Sequence, residues 1–255
     1  MRTHVKVVLA VVLTATALST TGCMIRQERL PEPDVRLMEE AVPLAGAQSA
    51  RVRIQMGAGE LTVNGSELQG DLLSGKFLYE AEIRPQISTE TEGGIIDVTI
   101  DHPSADALRF GRGPRNSWDI ELAQDMPMEL HIQCGAGESH LSLWTLDLEA
   151  LRMELGAGDV TVDFAGPENI RNPKQSERTM SGQITAGAGE ITVRLPEDRP
   201  VRVFGRKDGI GDWRYDGFIE EGDYLVNEAY RTSSAGAIEL DIQRGVGQVD
   251  LELVD

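Results

Sequence analysis

Residues 54–63 read Ile54-Gln-Met-Gly-Ala-Gly-Glu-Leu-Thr-Val63, and the phase of the apolar residues in that stretch decides the fold. Val52, Ile54 and Met56 alternate with polar residues, the period of two that marks a half-buried strand. The alternation resumes at Leu61 and Val63 but out of step. Counting by twos from Met56 arrives at Ala58 and Glu60, so Gly57-Ala-Gly59 absorbs one position. A corner or bulge with positive φ does this, and glycine adopts that conformation at little cost. Glu60 is thereby turned outward.

Four further segments repeat the pattern: Ile132-Gln-Cys-Gly-Ala-Gly-Glu138, Met153-Glu-Leu-Gly-Ala-Gly-Asp-Val-Thr-Val162, Ile184-Thr-Ala-Gly-Ala-Gly-Glu-Ile-Thr-Val193 and Ile242-Gln-Arg-Gly-Val-Gly-Gln-Val-Asp-Leu251. The corner glycines are Gly57 and Gly59, Gly135 and Gly137, Gly156 and Gly158, Gly187 and Gly189, and Gly245 and Gly247. Intervals between motifs are 78, 21, 31 and 58 residues, and weaker pairs at Gly111/Gly113 and Gly209/Gly211 divide the two long gaps. A unit of about 20–25 residues with insertions lies in the range of solenoid rungs. The reading is an all-β chain, a single-stranded β-solenoid-like stack of short strands with Gly-X-Gly corners. A three-residue hairpin turn between antiparallel strands fits the same residues, and sequence leaves the two connectivities open.

The order of elements resembles the bacterial toast-rack proteins, β-solenoid-like domains related to adhesins and to the extracytoplasmic C-terminal domain of Lia-type cell-envelope stress regulators. The residues that carry the likeness are Val52 to Val63, Trp118 to Leu122, Met126 to Leu130 leading into Gly135 to Glu138, Leu146 to Val162, Ile184 to Pro196, Val201 to Gly211, Tyr224 to Asn227 and Ile238 to Leu251. The resemblance implies an envelope-facing fold and, for some relatives, a part in sensing cell-wall stress through a partner kinase. It supplies no catalytic residues. The chain departs from the Lia-type regulators in reading without N-terminal membrane helices.

The N-terminus points to export. Arg2 and Lys6 precede an apolar run from Val7 to Leu18, followed by Ser19-Thr-Thr-Gly22-Cys23, a secretory signal too short for a membrane span. The Gly22-Cys23 junction resembles a lipobox, although Thr20 stands where leucine is usual, so Cys23 is expected to be lipidated and to hold the protein on a bacterial membrane through its acyl chains. Residues 1–22 form the signal. Residues 23–48, with Pro31, Pro33 and Pro43, read as a polar tether with an end-to-end distance of roughly 25–30 Å if flexible. Residues 49–165 are the N-terminal β domain, 166–182 a polar insertion, and 183–255 C-terminal repeats that continue the solenoid.

Charge narrows the partners. The 255 residues hold 42 acidic and 24 basic side chains, a net charge of −18, and removing the signal takes away only positive charge. A polyanion needs clustered lysine and arginine, so nucleic acid is excluded as a partner. An envelope protein or cell-wall component fits better. With Cys23 lipidated, Cys134 has no thiol partner and reads as a small apolar residue facing inward.

Chemistry-bearing clusters are sparse. Gly-Ala-Gly-Glu lacks the following Gly-Lys-Ser/Thr and the crossover helix of a nucleotide loop. His131 and His140 flank Cys134 and Glu138, yet alternation faces His131 away from Cys134, and the spacing matches no zinc pattern. His102 reads as a locally bonded histidine. Stacked corners would set Glu60, Glu138, Asp159 and Glu190 in a ladder about 4.8 Å apart, able to take Ca²⁺ or else to solubilise an edge, with crowding that raises carboxyl pKa values. Carboxylate pairs alone do not make a glycosidase. The expected function is non-enzymatic and without cofactors: surface recognition, adhesin-like or as a component of envelope-stress sensing. The alternative is a calcium- or glycan-binding module built on the outward acids. Solenoid ends expose strand edges unless capped, and an uncapped C-terminal strand would allow self-association through Leu251 and Leu253.

Overall fold

The structure, a computed structural model, describes residues 34–102, 116–167, 178–205 and 209–254. Four long strands, β2 (Ser49–Ser66), β7 (Met128–Ser142), β10 (Met180–Pro196) and β15 (Ile238–Val254), run without interruption through their Gly-X-Gly motifs. A fifth motif divides β8 (Leu148–Ala157) from β9 (Val160–Asp163). Neighbours pair in parallel on both sides of the motif, as Met56 with Cys134 before it and Leu61 with Ser139 after it. Parallel pairing on both sides excludes the hairpin. Met128 pairs with Leu148 and Ile132 with Met153, so within about 20 residues the chain returns to the adjacent position of the stack, and the short turn Leu143–Asp147 closes the coil with Met128 N–H donating to the Asp147 carbonyl (2.9 Å).

Burial follows the phase slip. Met56 and Ala58 are buried before the slip, Leu61 and Val63 after it, and Glu60 is exposed. The second glycine of each motif has φ between 128° and 141°, a region closed to other L-residues. A Cβ on Gly137 would overlap the Gly59 carbonyl oxygen, and one on Gly135 the Gly57 carbonyl oxygen. Each rung therefore lays its backbone on the glycines of the next, and the middle alanines Ala136, Ala157 and Ala188 are exposed. Inside, Ile54, Ile132, Met153, Ile184 and Ile242 stack in register and are fully buried, each contributing about 1.5–3 kcal/mol of transfer free energy.

The rungs are not stacked in chain order. β5 (Ile95–Asp101) pairs with the first half of β2 and β6 (Ser117–Ala123) with its second half, making one end rung. The weak pair Gly111/Gly113 falls between them, outside the described residues. At the other end β11 (Val201–Gly205) and β12 (Trp213–Tyr215) pair with the two halves of β15. Gly211 (φ 125°) sits against the Gly247 carbonyl, so the weak pair Gly209/Gly211 is a true bend. The first long strand is thus second in the stack, and the last is next to last. Since β15 is covered on both sides and Leu251 is buried, the C-terminal strand is not an open end.

Antiparallel pieces cover the ends. β1 (Val35–Pro43) pairs with β3 (Asp71–Glu80), and β3 with β6, while β4 (Gln86–Glu92) pairs with β5. Residues 35–43 are therefore strand, correcting the expectation of a tether reaching residue 48. The polar insertion likewise ends early, because β10 begins at Met180. Trp118, fully buried, meets Phe77 edge-on at 5.5 Å and donates from Nε1 to Asn116 Oδ1, whose Nδ2 donates to the Ala58 carbonyl. At the far end β13 (Ile219–Glu221) and β14 (Tyr224–Val226) form a hairpin beside β11, followed by α1 (Glu228–Thr232). Asn227 is fully buried there. Its Nδ2 donates to the carbonyls of Glu197 and Arg199, and its Oδ1 accepts from Val201 N and Tyr230 N.

Candidate recognition surface

Two outer faces remain, one on the half-strands before the bend and one on those after it. The face after the bend carries the expected acids. Glu60 pairs with Glu138 across β2 and β7, and Asp159 Oδ1 accepts from the Glu190 backbone N–H at 2.9 Å. Glu190 pairs with Gln248, so the ladder continues as an amide. The carboxyl of Glu190 is held above the ordinary carboxylate range by a hydrogen bond shared with Asp250, then by partial desolvation and repulsion from Asp250 and Asp159. Among the described residues no three His, Cys, Asp or Glu side chains are placed to share a metal ion. The ladder stacks, with Asp159 turned to the Glu190 backbone and the Glu190 carboxyl to Asp250.

The histidines separate. His140 pairs with Thr62 on the face after the bend, His131 with Arg53 on the face before it, and His102 lies buried near Gly57 and the Trp118 ring. Cys134 is buried, its Sγ 3.7 Å from the Ser139 hydroxyl, and burial pushes its thiol up to about 11. A nucleophilic cysteine needs the opposite shift. Cys23 lies outside the described residues.

The face before the bend holds what sequence reading missed. Arg53, His131 and Arg152 each stand four residues ahead of the first glycine of their motif, and the parallel register sets them side by side on β2, β7 and β8. Thr99 flanks the row on one side and Gln183 on the other. They line a shallow groove of about 370 Å³. Counting backward from the glycines, as well as forward to the acids, would have found the row. Two arginines of the groove are compensated: Arg51 contacts Asp97 (3.4 Å) and Glu129 (3.8 Å), and Arg152 Nε donates to Glu154 (2.7 Å). An amide chain runs alongside, Gln55 Nε2 donating to Gln133 (2.7 Å) and Gln133 Nε2 to Glu154 (3.0 Å). The guanidinium of Arg152, then the Gln133 amide, hold Glu154 below the usual carboxylate range. His131 is half-buried, its Nε2 covered and without a hydrogen-bond partner. Burial holds its pKa down; Glu154 opposes, and Arg152 and Arg53 reinforce.

A family model and a solved structure are similar to most of this chain. A family model described as "N-terminal domain of toast_rack, DUF2154" matches residues 32–194. A search of curated proteins finds no match. Among solved structures, a candidate cell adhesion protein of Clostridium sporogenes is 28% identical, with 87% of this chain and 100% of that one covered at a TM-score of 0.78. A candidate adhesin of Bacteroides fragilis is 10% identical over 87% of this chain and 98% of its own, with a TM-score of 0.24.

Proposed function

The chain belongs to the family of the toast_rack N-terminal domain, and from that membership we propose a non-enzymatic, adhesin-like protein of the bacterial cell envelope that acts by surface recognition. The observation that supports this reading best is the pair of outer faces: parallel ladders whose exposed side chains change from rung to rung over an unchanged backbone. The similarity to the candidate cell adhesion protein over its whole length is a second support. Open, in-register faces suit contact with an extended partner. Cys23 with its acyl chains holds the protein on the membrane.

Two experiments test this. Whole chain, purified in detergent and coupled to beads, is expected to retain bacterial envelope fragments above the level of beads carrying an unrelated acidic protein; equal retention would sink the reading. Growth with labelled palmitate should label the wild type and leave Cys23→Ala unlabelled, and label persisting in the variant would remove the anchor.

A further inference from the structure

In a chain with 42 acidic and 24 basic side chains, three successive rungs present Arg53, His131 and Arg152 in one row. Neighbouring strands lie about 4.8 Å apart, and like charges directly opposite each other destabilise a sheet. The arrangement is eased in two places. Arg152 is paired with Glu154, and burial lowers the pKa of His131, which disfavours a charge in the middle of the row. Arg53 is not compensated: it is exposed, and among the described residues no hydrogen bond or ion pair is made by its guanidinium, while Asp97 and Glu129 are taken by Arg51.

We propose that this row binds the carboxylate of an acidic saccharide, with the Arg53 guanidinium as the principal anchor, the His131 imidazole as the floor between the two guanidiniums and Arg152 closing the other side. The proposal rests on the surface-recognition reading above and names the ligand class for one face. A guanidinium presents a planar fork of donors matched to a carboxylate. The groove of about 370 Å³ falls at the small end of ligand sites. Its rim carries hydroxyl and amide groups, Thr99, Ser181 and Gln183, which suit the hydroxyls of a sugar ring. The carboxylates of Asp97, Glu129 and Glu154 around the row repel a doubly charged phosphate more than a singly charged carboxylate.

Galacturonic acid, galactose and inorganic phosphate are titrated into ¹⁵N-labelled full chain in detergent micelles. Galacturonate is expected to give saturable shifts at residues 53, 131 and 152, with galactose and phosphate weaker by at least about tenfold, the weight of a charge-assisted hydrogen bond. Arg53→Gln should lose binding by a similar factor with an unchanged amide spectrum elsewhere, and Arg53→Lys should recover only part. Equal binding of galactose, tighter binding of phosphate, or full binding by Arg53→Gln would overturn the proposal. Should beads still retain envelope fragments while galacturonate gives no saturable shift, this site assignment fails and surface recognition stands.

Discussion

The bend edge and the outer face before it are built from the same rungs and obey opposite rules. Along the bend edge the same two glycines recur from Gly57 to Gly247, because each backbone rests on the glycines of the rung beside it. Four residues upstream, the same register carries Arg53, His131, Arg152, Gln183 and Asp241. Repetition marks what the backbone requires, and variation marks what the protein displays. Substitutions on the edge should therefore cost stability, and substitutions on the face should cost recognition.

The sharpest break in that contrast is Gly137→Ala. Its φ of 128° and the overlap of a Cβ with the Gly59 carbonyl leave no relaxed position, and urea unfolding should report a loss of at least about 3 kcal/mol. Ala136→Ser, one residue away and pointing out, should stay within about 0.5 kcal/mol; equal losses would refute the stacked-bend account. Cys134 sharpens the contrast from inside. With its thiol pushed up to about 11, it should react with iodoacetamide at pH 8 only as fast as the chain opens, tracking urea unfolding, whereas prompt labelling of folded protein would place it at the surface. Arg53→Gln is the converse case, losing ligand with a stability change below about 0.5 kcal/mol.

The smallest effect belongs to the acid ladder. Because Glu190 is held above the ordinary carboxylate range by its hydrogen bond to Asp250, the folded chain keeps that proton more tightly than the unfolded chain. The resulting stabilisation is complete below the unfolded carboxyl pKa and is lost as pH rises through the raised value. Glu190→Gln should flatten that part of the stability profile. An unchanged slope between pH 4 and 7 would remove the crowding argument.

The bends, the strand halves and the outward acids were legible because each is written in local phase: one step of register lost at every Gly-X-Gly. The order of the rungs was not, since a repeat says which segments can stack and not which pair does. Nothing in Ile238 to Val254 announces that it enters between β10 and β11. β1 was missed because Val42 is its one buried residue, so it carries no alternation, and Pro43, with Pro31 and Pro33 ahead of the strand, reads as tether. Arg244 is a further case. It occupies the inward position of Met56, Cys134, Leu155 and Ala186, buried, yet donates through Nη1 and Nη2 to the Ile210 and Gly211 carbonyls at 2.6 Å. An arginine there ties the end rung to its neighbour, a role that a hydrophobic pattern does not signal. The arginine row escaped because each member, taken alone, is an ordinary exposed residue of a strand.

The central claim is that the bends stack in the order 187/189, 245/247, 209/211, with the last rung inserted before the preceding one. Selective labelling of glycine and measurement of through-space contacts between α-protons tests it directly. Contacts between Gly189 and Gly247 and between Gly247 and Gly211 are predicted, with none between Gly189 and Gly211. A direct contact between Gly189 and Gly211 would mean that the rungs follow chain order, and would contradict the account.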